Sequence, residues 1–119
     1  MATVADVAFK TKRKDVLQMR LGDGDGAVTI RMLPPTKDIH DDMTKVGEII
    51  DGAMDGTIDR NEIDDAALLE VVANAMSNNT DLTRITPENL ENEGFEMSDV
   101  ADFVTLYRIF LVKLVEAKN

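Results

Sequence analysis

Val16-Leu17-Gln18-Met19-Arg20-Leu21, then Ala27-Val28-Thr29-Ile30-Arg31-Met32 running into Leu33-Pro34-Pro35-Thr36-Lys37, is the stretch that decides the fold. Leu17, Met19 and Leu21 alternate with Gln18 and Arg20, and Val28, Ile30 and Met32 alternate with Thr29 and Arg31. Between the two runs lies Gly22-Asp23-Gly24-Asp25-Gly26, dense in residues that accept positive φ. Two period-two segments around such a turn read as a β-hairpin with one apolar face. A lone hairpin is marginal in water, so that face must lie on helices or on another chain's sheet. Pro34-Pro35 stops the second strand because proline cannot donate to the ladder, and Thr36 or Asp38 can cap the helix that follows.

Downstream of the prolines the period changes to helical. Ile39, Met43, Val46 and Ile50 recur at helical spacing, which predicts a helix over about 37–50. Gly47 weakens its middle by up to about 1 kcal/mol relative to alanine. Asp51 to Asn61 is polar and glycine-bearing and reads as a loop, with Asp59 and Glu62 at the spacing of a capping box for a second helix, 61–77. Leu68, Leu69, Val71, Val72, Ala75 and Met76 give that helix a broad apolar face, so it should be the most central one. Thr86-Pro87 opens a short helix, 87–93, that ends near Gly94. Ser98 is placed to cap the last helix, 98–117, whose stripe is Val100, Phe103, Val104, Tyr107, Phe110, Leu111 and Leu114. Residues 1–14 begin with small residues and end in the basic cluster Lys10, Lys12, Arg13 and Lys14, which suits a flexible arm or a fold-back onto the chain's own carboxylates. The expected fold is α+β and mostly helical: one domain, 15–119, with the hairpin 16–33 packed on a bundle of three to four helices.

Composition narrows the function. A chain of 119 residues suits one compact domain, and 44% hydrophobic residues suffice for its core. Only 4% are aromatic, so that core is built from Leu, Ile, Val and the 7 Met residues. The net charge of -10 repels phosphate backbones and anionic lipids, so neither a nucleic acid nor a membrane is an expected partner. It favours solubility, cations or a basic protein. With no cysteine there is no disulfide, thiolate zinc site or cysteine nucleophile. No apolar run approaches the roughly 20 residues that span a bilayer, and the first residues lack a signal-peptide pattern, so a cytoplasmic protein is expected.

No catalytic set stands out. His40 is the sole histidine and falls on the polar face of the first predicted helix among Asp38, Asp41 and Asp42. There is no phosphate loop and no nucleotide fingerprint, and the carboxylates offer no distinguished acid–base pair. A protein without enzymatic activity or cofactor is expected. One stretch competes for attention. Asp51-Gly52-Ala53-Met54-Asp55-Gly56-Thr57-Ile58-Asp59-Arg60-Asn61-Glu62 aligns with a twelve-residue calcium loop, with Asp51, Asp55, Gly56, Asp59 and Glu62 at positions 1, 5, 6, 9 and 12. Position 3 is Ala53, which removes a ligand, and no second loop pairs with it. A small calcium-binding module and a plain acidic turn both fit.

Taken in order, the strand pair, Leu33-Pro34-Pro35-Thr36-Lys37, the helix Leu68–Asn79, then Ile85-Thr86-Pro87-Glu88-Asn89-Leu90 and Asp99-Val100-Ala101-Asp102-Phe103 with Tyr107 and Phe110, resemble the tail assembly chaperones of long-tailed phages and prophages of Gram-positive bacteria. The likeness covers most of the chain after residue 15 and is specific in order and spacing rather than in any one motif. The acidic loop 51–62 departs from the pattern. The resemblance implies a non-enzymatic role in viral morphogenesis: binding the tape measure protein, keeping it soluble and recruiting tail tube subunits in the host cytoplasm, with no place in the mature virion. It also implies the short form of a gene whose relatives often make a longer, frameshifted product. Phe103, Tyr107 and Phe110 on the last helix are the expected partner-binding face, and the hairpin edge, through pairing with a second copy or a tube subunit, is the other. A head–tail connector subunit is a further alternative.

Overall fold

The computed structural model describes residues 5–8, 16–22 and 27–118, with side chains placed for 16–22 and 27–116. Among the described residues the architecture is α+β, an antiparallel sheet followed by four helices. Strands β2 (Leu17–Leu21) and β3 (Val28–Met32) form the expected hairpin, in register from Leu17 opposite Met32 to Leu21 opposite Val28. That register puts Leu17, Met19, Leu21, Ile30 and Met32 on one face, and all five are buried. Val28 shares the face but stands at its rim, 46% exposed.

Ala5–Ala8, within the stretch expected to be an arm, forms strand β1 and pairs antiparallel with β2, so among the described residues the sheet has three strands and the hairpin is only part of it. An uncovered β2 would leave a row of backbone donors and acceptors without partners, which β1 supplies. The basic cluster 10–14 and the turn residues 23–26 lie outside the described residues.

Helix α1 (Lys37–Asp55) starts where the prolines place it, with the Thr36 hydroxyl accepting from the Ile39 amide. It runs five residues beyond the expected end at 50, until Gly56 takes a left-handed φ of 84°. The two glycines inside α1 are each overlain by another side chain. A Cβ on Gly47 would meet the Arg108 guanidinium at 2.6 Å, and one on Gly52 would meet Ile58, whose amide donates to the Gly52 carbonyl at 3.0 Å. A short 3-10 turn (Arg60–Glu62) follows, capped by Asp59. Helix α2 (Asp65–Ser77) therefore starts later than expected, with Asp64 as its cap in place of Asp59.

As its apolar breadth predicts, α2 is the central helix, packed against α1, β3 and the two helices that follow it, α3 (Pro87–Asn92) and α4 (Met97–Lys118). Thr86 and Asn89 close a reciprocal capping box around Pro87. Gly94, at φ 75°, ends α3 in a Schellman motif: its amide donates to Glu91 and that of Phe95 to Leu90, while buried Phe95 and Leu90 supply the usual apolar contact. At the start of α4 the Asp99 carboxylate accepts from the Glu96 amide, so the capping role expected of Ser98 falls to the Glu96–Asp99 pair.

Asn79 joins the helices to the sheet. It is 2% exposed; its Nδ2 donates to the carbonyls of Met76 and Thr83, and its Oδ1 accepts from the amides of Asp81 and Thr83. Its neighbours extend the sheet, Leu33 donating to Asn78 and Thr80 to Arg31 along the outer edge of β3. Asn79→Ala leaves several of these groups without partners and is expected to lower unfolding free energy by about 2–4 kcal/mol in urea titration.

Candidate functional site

The three aromatic residues expected to face a partner do not reach the surface. Phe103 and Phe110 are 0% exposed and Tyr107 3%, and all three belong to the monomer's own core. Phe103 and Tyr107 pack with ring centroids 6.3 Å apart. The physical reason lies in the stripe itself. Residues at this spacing share one side of α4, and that side rests on α1 and α2. Burial pushes the Tyr107 phenol up to about 12, so it stays neutral; its oxygen lies 3.5 Å from Nδ1 of His40, which is otherwise exposed.

What α4 offers outward is a second apolar row. Ile109, Val112 and Val115 are 42%, 56% and 62% exposed, and no residue of α4 after Phe110 is buried among those described. Beside this row Arg108 crosses to α1 and makes two parallel bonds to Asp51, Nη1 to Oδ1 at 3.0 Å and Nη2 to Oδ2 at 2.9 Å. Gly47 makes that crossing possible, because any side chain there would occupy the space of the guanidinium. The bond to Arg108 is the main cause that holds the Asp51 carboxyl below its ordinary value.

The candidate calcium loop folds differently from a ligand cage. Its first five positions are the last turns of α1. Asp51 is engaged with Arg108, Asp55 accepts from the amide and hydroxyl of Thr57, and Asp59 accepts from the Asn61 amide. Among the described residues no three acidic or histidine side chains gather closely enough to hold a metal ion.

A groove of about 640 Å³ runs along the outer side of α2. Val71, Ala73 and Ile85 line it, with Asp42 of α1 and Glu70 of α2 carrying negative charge and Arg84 positive charge beside them. It is absent from the sequence-derived expectations because its walls come from α1, α2 and the segment before α3, and no single periodic pattern contains them.

No family model, no curated protein and no solved structure matches the chain. Among the described residues no helix is long and apolar enough to cross a membrane.

Two substitutions separate the inner from the outer side of α4. Phe103→Ala should cost about 3–5 kcal/mol of stability, whereas Val112→Ala should stay within about 0.5 kcal/mol, both read from denaturant titration. The Asp51–Arg108 pair predicts an acid dependence. A carboxyl with a depressed folded value contributes stability above its unfolded value of 3.8, and loses that contribution as pH falls through the lower folded value. Asp51→Asn should therefore melt slightly lower than the parent at neutral pH, with the difference closing below pH 3.8. The pair is half exposed, so the shift is small.

Proposed function

We propose that this protein is a tail assembly chaperone, a non-catalytic protein that binds the apolar helical stripe of a tape measure protein and recruits tail tube subunits to it. The observation that carries the binding surface is the outer row of α4, Ile109, Val112 and Val115, set at helical spacing on a 22-residue helix. Such a row can lie along another helix and exclude water between them. Tape measure proteins are long helices with exposed apolar stripes, which need a cover that is itself soluble. The net charge of -10 supplies a repulsive exterior for the complex. The role in phage morphogenesis rests on the resemblance in the order and spacing of segments, from the Leu33-Pro34-Pro35 strand exit to Asp99 and the last helix.

Each apolar side chain fully buried on binding contributes on the order of 1.5–3 kcal/mol before ordering costs. A row of three therefore gives weak contact per copy, which suits a protein that has to leave the assembled particle. Co-expression with the tape measure protein of the same genome should raise its soluble fraction and allow the two to co-purify. Ile109→Lys with Val112→Lys should abolish co-purification while leaving the thermal midpoint near that of the parent. Unchanged tape measure solubility with nothing co-purifying would refute the proposal.

A further inference from the structure

The groove beside α2 shares no residue with the outer row of α4, and it carries charges of both signs. Arg31, Lys37, Arg60, Arg108 and Lys113 each sit in an ion pair with a carboxylate. The side chains of Asp42, Glu70 and Arg84, like those of Lys45 and Glu48, have no hydrogen bond or ion pair among the described residues. Asp42, Glu70 and Arg84 border the same groove, beside partly exposed Val71, with Ala73 and Ile85 buried at its floor. Asp42 is half-buried there.

We infer that this groove is a second binding site, and that its occupant is an amphipathic helix of a partner protein with Lys or Arg beside its apolar stripe. Charge complementarity selects the basic flank: Asp42 comes from α1 and Glu70 from α2, so a helix lying between them meets a carboxylate from each. A helical occupant follows from the lining. Along α2 the groove presents side chains of a helix whose backbone bonds are internal, so an added strand would find no ladder to join. A helix brings its own backbone bonds satisfied. The lining of α2 from Ala67 to Ser77 covers about 15 Å at 1.5 Å per residue, enough for two to three turns. Arg84 lies beyond the Ser77 end, close to where Ser77 bonds to Ile85. A cation there favours the carbonyl end of the incoming helix, which gives the occupant a direction.

The site is independent of the tape measure proposal and is tested without that protein. The probe is a synthetic helical peptide with a leucine stripe flanked by lysines, and its control is the same peptide with glutamates in place of the lysines. Titrated into the isotope-labelled full chain, the lysine peptide should shift the amide signals of Val71, Asn74 and Ile85, and the glutamate peptide should not. Asp42→Asn with Glu70→Gln should weaken the lysine peptide at least tenfold, while Glu48→Gln, which removes an exposed carboxylate of α1 outside the groove, should leave it unchanged. Shifts spread evenly over the acidic surface, shifts centred on Ile109 and Val112, equal binding of both peptides, or no loss in the double variant would each overturn the inference. Unaltered spectra of the unbound variants elsewhere in the chain exclude misfolding as the cause of a loss. Tape measure capture that persists in the double variant would leave the α4 proposal standing whichever way the peptide result falls.

Discussion

The apolar face of the sheet has to be covered, and α2 is the element that does it. Leu17, Met19, Leu21, Ile30 and Met32 form an apolar surface that three short strands cannot keep in water by themselves. α2 packs on β3, and α1, α3 and α4 each pack on α2. Ala73 and Ala75 are fully buried on it, and small residues at such contacts let neighbouring elements approach closely. Asn79 then fixes the turn after α2 with four local hydrogen bonds, and the backbone bonds from Leu33 to Asn78 and from Thr80 to Arg31 tie that turn to the edge of β3.

Most of the fold was legible because it obeys period and punctuation. The alternation around residues 17–32, the prolines at 34–35, Thr86-Pro87 and Gly94 each act locally and each fell where expected. What was not legible depends on partners distant in sequence. Gly47 reads as a weak point in a helix until Arg108, contributed by α4, is seen to lie across it. α1 outlasts its expected end because Ile58 folds back over Gly52, a contact no helical periodicity encodes. β1 is too short, and too rich in alanine, to announce itself as a strand.

The surface was harder to read for a related reason. Aromatic residues are the strongest signal in a chain with so few, and they drew attention to the side of α4 that closes the core. The outer side is written in smaller residues, Ile109 and Val112, whose exposure only the packing of α4 decides. The groove beside α2 gathers Asp42, Glu70 and Arg84 from three segments, so no single stretch of sequence shows its charges together. In both cases the surface is assembled by packing between distant segments, and that is where binding is placed.

Hydrogen–deuterium exchange of the chain, alone and with a helical segment of the tape measure protein, tests the central claim most directly. The account predicts added protection over about 105–116 of α4, where the outer row lies, and no loosening of the buried turns that carry Phe103 and Tyr107. Protection absent from α4, or faster exchange around Phe103 and Tyr107 as the core opens to admit the segment, would contradict a pre-formed outer binding face.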